Sequence, residues 1–172
     1  MTKIAFCFVI GSATLWGQES PVMDAVRLQY GNAKRNLIEA ARAMPTEHYA
    51  FKLTPPQRAY ADWVEHTAGM NLRVCATAQG ATAPVARKTD GSKDEVVQAI
   101  EASFTFCDAV LSGMNDAQAL RVISESPRRT ALDSLLGLVA NLNSHYGNMV
   151  GYLRMKGITP PTTARAQKQH QH

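Results

Sequence analysis

The sequence predicts an all-α protein, a four-helix bundle. Three observations carry this. Four long segments repeat apolar residues at steps of three and four, the period of one helix face. Proline and glycine stand at their ends. No segment alternates in the two-residue period of a strand, and no fixed-length repeat is visible. A chain of 172 residues fits one domain and can bury a sizeable core. Hydrophobic residues make up 45% and charged residues 19%, which excludes a disordered chain.

The first segment carries Val22, Val26, Tyr30, Ala33, Leu37, Ala41 and Met44 and stops at Pro45. The second follows Pro55-Pro56 with Ala59, Trp63, His66, Met70 and Val74. The third carries Val96, Ile100, Phe104, Cys107, Leu111 and Met114, and Ser92 with Glu95 has the spacing of a capping box at its start. The fourth carries Leu135, Leu138, Leu142, His145, Met149 and Tyr152. Lys156-Gly157, with Pro160-Pro161 beyond, is its stop signal. The link from Gly80 to Ser92 is long enough to cross the length of a bundle, which lets the second and third helices run parallel. The tail from Thr162 to His172 is polar and expected to fray. Its His170 and His172 are given no native role.

At the N-terminus Lys3 precedes an apolar run, Ile4 to Trp16, which ends at Gly17. One positive charge, about a dozen apolar residues and a small residue make a secretory leader over 1–17. The alternative is a buried N-terminal helix or strand. The run falls short of the ~20 residues of a membrane span. The expected mature domain is 18–161, exported to the periplasm or outside the cell, with no stable membrane span once the leader is removed. Cys75 and Cys107 then remain. They either pair, if their Cα atoms come within about 7 Å, or pack as small apolar residues.

A net charge of +4 with interspersed signs lacks the dense basic stripe of a nucleic-acid groove, so no nucleic-acid partner is expected. Nucleophile elbows, phosphate-cradling glycine loops and Cys-x-x-Cys pairs are absent. Two inward histidines remain, His66 and His145 on the apolar stripes of the second and fourth helices. Neutral imidazole binds zinc, nickel and related divalent ions, and facing helices are a place to build such a site. The alternative is a pair of core histidines, each bonded to a tyrosine, Asn141 or a backbone carbonyl. Asn141 lies one turn before His145 and points to the same region. An amide is a poor zinc or nickel ligand, so its expected part is to complete the shell together with water. Asp62, one turn before His66, is an auxiliary candidate. Glu65 is read as solvated surface, and His48 as an exposed loop residue. Arg154 and Lys156 suit the negative end of the fourth helix. Tyr146 and Tyr152 are expected to brace the helices through packing and hydroxyl bonds.

The chain also carries Met44-Pro45-x-x-x-Tyr49-x-Phe51, the helix with His66, then Cys75, and Ser103-Phe104-x-Phe106-Cys107-Asp108. His145-Tyr146-Gly147-Asn148 and Tyr152-Leu153-Arg154-x-Lys156-Gly157-x-x-Pro160-Pro161 follow. From about Val22 to Pro161 this pattern resembles the DinB superfamily, and more narrowly its exported bacterial members. The resemblance implies an up-down-down-up bundle with a long crossover between helices 2 and 3. It also implies a divalent-metal site (zinc, nickel or manganese) of three histidines, one on the second helix and two spaced by four on the last. His66 and His145 match two of them; the third position is Asn141. Ser144 stands where a glutamate often precedes the final histidine. Relatives of this kind include metal-dependent hydrolases and low-molecular-weight-thiol S-transferases, and homodimers occur. The expected partners are therefore a small molecule of unknown identity and a second copy of the chain. A non-catalytic bundle, with metal binding lost at Asn141, is the alternative implied by that departure.

Overall fold

The computed structural model describes residues 20–170. The expected leader lies outside them. The described residues form six α-helices, one short 3-10 turn at Thr46–His48 and one small hairpin. They are α1 Pro21–Ala43, α2 Tyr60–Gln79, α3 Lys93–Ser112, α4 Asp116–Ala119, β1 Val122–Glu125, β2 Arg128–Thr130, α5 Ala131–Met155 and α6 Pro161–Gln169. Packing joins α1 to α3 and α5, and α2 to α3 and α5. The fold is all-α, as expected.

Each long helix starts for a local or a borrowed reason. Pro21 at the first turn of α1 gives up a backbone N–H that would have no partner there. The next two N–H groups, of Val22 and Met23, donate to the Asp116 carboxylate at 3.1 and 2.9 Å. A carboxylate from α4 thus caps a helix some ninety residues earlier, where its charge also suits the positive helix end. At α2, Asp62 accepts from the Ala59 N–H at 2.9 Å. At α5, Thr130 and Asp133 form a reciprocal capping box. The box expected at Ser92 and Glu95 takes a different form. Glu95 accepts from the Asp90 N–H at 3.0 Å, and Asp90 accepts from the Ser92 N–H at 2.7 Å. The helix ends at Gly80 (φ 81°) and Gly157 (φ 71°) use the left-handed backbone that glycine alone adopts freely.

The stripes of the third and fourth sequence segments are buried as read, from Val96 to Met114 and from Leu135 to Tyr152. In α1, Val26, Tyr30, Ala33, Leu37 and Ala41 are buried, but Val22 is 39% exposed. The stripe of α2 is shifted by about one position. Its most buried side chains are Tyr60, Val64, Thr67, Asn71, Cys75 and Ala78, while Trp63, His66 and Val74 are half-buried. Two polar residues on the inner face hid it. Thr67 returns its hydroxyl to the Trp63 carbonyl at 2.8 Å, and Asn71 donates to the Ser103 hydroxyl at 3.1 Å. Asn71 Oδ1 is the one buried side-chain polar atom without a partner among the described residues.

Two segments differ from expectation. The stretch between α4 and α5 is a short antiparallel hairpin pairing Val122 with Thr130 and Glu125 with Arg128, around a cis Ser126–Pro127 bond. At three and four residues, its strands are too short to show alternation. The tail does not fray over Pro161–Gln169, which forms α6. Pro161 opens the helix, Arg165 pairs with Glu39 and Asn36 of α1, and the Tyr146 and Thr162 hydroxyls bond at 2.8 Å. A polar composition concealed this docking because α6 is held by polar contacts rather than an apolar stripe.

Cys75 of α2 and Cys107 of α3 form a disulfide, with Cα atoms 5.4 Å apart and a sequence separation of 32. Both are fully buried. A loop of that length restricts the unfolded chain by about 4 kcal/mol in the chain-entropy account. The Cys75→Ala/Cys107→Ala protein is expected to lose roughly 3–4 kcal/mol in chemical denaturation. Unchanged stability would show that the crosslink contributes nothing to the fold.

Candidate functional site: two facing imidazoles

α2 and α5 pack together and bring His66 and His145 to one place. Their ring centroids are 5.1 Å apart and the rings are tilted by 58°. Trp63, one turn before His66, stands against both, 6.3 Å from His66 and 5.4 Å from His145. His145 is 7% exposed, and His66 is half-buried.

Hydrogen bonding fixes the His145 tautomer. Its Nδ1 lies 3.3 Å from the Thr67 hydroxyl oxygen. That hydroxyl already donates its proton to the Trp63 carbonyl. Thr67 therefore accepts from the ring, Nδ1 carries the hydrogen, and Nε2 keeps its lone pair. The ring of His66 makes no hydrogen bond within the described residues, so its ring nitrogens are not consumed by the protein. This is the orientation that an outer-shell partner gives a metal-binding histidine.

The electrostatics point the same way. Burial holds the pKa of His66 below the ordinary 6.5, and the Arg58 and Arg73 charges lower it further. Burial also lowers that of His145, followed by His66 and Arg58. Both rings are neutral at pH 7, the form that binds metal.

With Zn–N bonds of 2.0–2.1 Å at a tetrahedral angle, two imidazole centroids stand about 5 Å apart. The observed separation meets that spacing. The donor set is nevertheless short: no group of three or more His, Cys, Asp or Glu is placed to hold a metal ion among the described residues. Asn141 is exposed, and its amide nitrogen donates to the Gly137 carbonyl at 2.8 Å. No hydrogen bond joins it to either imidazole. Asp62 is occupied with its capping bond. Glu65 is half-buried and accepts from the Thr89 hydroxyl, so it is not the solvated residue the sequence suggested. His48 is half-buried in a turn at Thr46–His48.

Sequence reasoning missed Thr67 and Arg58. Thr67 has one faint signal, its place four residues after Trp63, where a helical threonine reaches the preceding turn. Arg58 lies in the connection before α2 and has none. Its guanidinium carbon sits 5.0 Å from the centre of the Trp63 indole. Its carbonyl accepts from the Tyr152 hydroxyl at 2.6 Å, and the Trp63 Nε1–H donates to that same hydroxyl at 3.2 Å. Tyr152 and Tyr146 brace the helices as expected. A separate cleft of about 570 Å³ lies between α1 and α3, but its Lys34 and Glu39 are engaged in ion pairs with Asp108 and Arg165.

The residues from 29 to 149 match the family model of the DinB superfamily. The chain belongs to that superfamily. A DinB-like protein from Bacillus cereus has a similar structure, with a TM-score of 0.69 at 15% identity over 80% of this chain and 95% of that one. A DinB-like protein from Bacillus subtilis gives 0.65 at 17% identity, covering 81% and 94%. A conserved protein from Enterococcus faecalis gives 0.63 at 14% identity, covering 77% and 95%. At these identities the likeness speaks for the fold. No protein of curated function matches the sequence. No helix among the described residues is long and apolar enough to cross a membrane.

The lowered histidine pKa values have a sign. Below about pH 6.5 the unfolded chain binds protons at both imidazoles that the folded chain refuses. Stability is then present above pH 6.5 and falls as pH drops from there toward the folded values. Replacing both rings, in His66→Gln/His145→Gln, is expected to flatten the slope of unfolding free energy against pH below 6.5 relative to the parent. An unaltered slope would mean the rings are not held neutral.

Proposed function

We propose that this chain is an exported, up-down-down-up DinB-like bundle that holds a divalent cation (zinc, nickel or manganese) weakly between His66 and His145. The observation that carries the reading is the pair of imidazoles at metal-sharing distance, with the His145 Nδ1–H engaged by Thr67. Nε2 of His145 and a free ring nitrogen of His66 are the protein donors, and the remaining positions are open to water and a ligand. Such a cation, when bound, polarises an electrophile or lowers the pKa of a bound water, the chemistry of metal-dependent hydrolysis and group transfer. The chain's own residues supply the rest. Thr67 fixes the tautomer, Trp63 covers the rings, and burial keeps both imidazoles unprotonated. In this reading the amide oxygen of Asn141, one turn before His145, would meet a cation-bound water while its amide nitrogen stays bonded to the Gly137 carbonyl.

A second reading is a bundle that has lost its cation and serves as a binding module. It is supported by the exposure of Asn141 and by its bond to Gly137. One substitution separates the two. A histidine at 141 lies one turn from His145 on the same side of α5. Calorimetric titration of tag-free protein with zinc is expected to show one equivalent bound in the micromolar range, lost in His66→Ala. Asn141→His is expected to tighten it by at least about tenfold, or ~1.4 kcal/mol. No zinc binding in the parent and none in Asn141→His would sink the cation site and leave the binding module.

A further inference from the structure

The outer face of α5 differs from those of the other long helices. From Ser134 to Leu153 the helix carries no Asp, Glu, Lys or Arg, although charged residues make up 19% of the chain. Leu136, Gly137, Ala140, Asn143, Ser144 and Gly147 are exposed there, Leu136 by 52%. At 100° per residue, Leu136, Ala140, Asn143 and Gly147 fall within an arc of about 60°. Beside them α1 and α5 leave an apolar groove of about 480 Å³, lined by Val22, Ala25, Leu132 and Val139. Two glycines on this face have no reason inside the chain. A Cβ at Gly137 or Gly147 meets nothing within 4 Å, and neither has a positive φ. Glycine inside a helix is destabilising relative to alanine. An uncharged face of short side chains is suited to close packing against another helix.

Charge selects the occupant. The chain has a net charge of +4, so two copies meet without repulsion only through a neutral face. The other long helices expose charge, Arg35 on α1, Arg73 on α2 and Asp94 on α3. The two charges that bound the α5 face are complementary under two-fold symmetry. An axis between Asn143 and Ser144, with the two α5 helices antiparallel, sets Ala140 opposite the partner's Gly147 and Asp133 opposite the partner's Arg154. Asp133 caps α5 through Oδ2, and no hydrogen bond engages its Oδ1 among the described residues. Arg154 is exposed and has no ion-pair partner among the described residues. Each copy offers both charges, and the symmetric contact pairs them twice.

We propose that the outer face of α5 is a docking surface for a second copy of this chain. The two helices pack antiparallel across Ala140, Asn143 and Gly147, and Asp133–Arg154 pairs close the two ends. The surface does not rest on the cation reading. His145 points about 140° away from Ala140 around the helix, so the two imidazoles lie outside the seam.

Sedimentation equilibrium of tag-free protein is expected to show a dimer with a dissociation constant of about micromolar or tighter. Gly147→Glu sets an unpaired carboxylate into the seam twice, at a position where the single chain has room for it. It is expected to weaken association at least about tenfold while the helical circular-dichroism spectrum is unchanged. Ser144→Cys stands near the axis and is expected to be joined to its own copy by a short bismaleimide. Leu136→Cys, about 22 Å from its own copy in this register, is expected to stay unjoined. A monomer at every concentration overturns the second copy as occupant and leaves the face to a different partner. A dimer that Gly147→Glu does not weaken overturns the α5 face. Crosslinking of Leu136→Cys in place of Ser144→Cys overturns the antiparallel register.

Discussion

The chemistry available at this site turns on where one hydroxyl proton points. Thr67 sits on the inner face of α2 and gives its proton to the Trp63 carbonyl within its own helix. That leaves its oxygen as an acceptor for Nδ1 of His145 and directs the lone pair of His145 to Nε2. Were the Thr67 proton instead directed at the ring, Nε2 would carry the hydrogen and could not bind a cation. An intrahelical bond of a kind that slightly disfavours a helix thus sets the donor character of a residue seventy-eight positions away.

The scaffold places that interaction with few long-range ties. The Cys75–Cys107 disulfide joins α2 to α3. Tyr152 of α5 meets both the Arg58 carbonyl and the Trp63 indole, fixing the start of α2 against the last helix of the packed core. Asp116 caps α1 from a distance, and Arg165 anchors α6 back onto α1. These ties are polar or covalent, whereas Phe104, Ile100, Leu142 and Met149 supply the fully buried apolar interior. The apolar core gives the general driving force. The specific bonds set which faces meet.

What was legible in the sequence follows from this division. The stripes from Val96 to Met114 and from Leu135 to Tyr152 were readable because their inner residues are apolar apart from Ser103 and His145. The stripe of α2 was read one position off because Thr67 and Asn71 are buried while Trp63 and His66 lie at its border. The histidines were found because imidazole is unusual on an apolar face, and α2 and α5 bring them together. Arg58 was invisible because its role comes from stacking across the start of α2, which no periodicity records. The hairpin and α6 escaped because one is too short to alternate and the other docks through Arg165 and Thr162. Asn141 was read as lying near His145. The structure keeps it on the same helix one turn away, but bonds its amide nitrogen to Gly137.

The central claim is that two neutral imidazoles present free nitrogens to one cation. Long-range ¹⁵N–¹H correlation spectra of the histidine rings at pH 7, without and with zinc, test it most directly. The account predicts a neutral His145 with hydrogen on Nδ1 and an unprotonated Nε2, and a zinc-induced shift of one nitrogen in each of His66 and His145 together. A protonated ring, hydrogen on Nε2 of His145, or zinc shifts confined to His48 and His170 would contradict it.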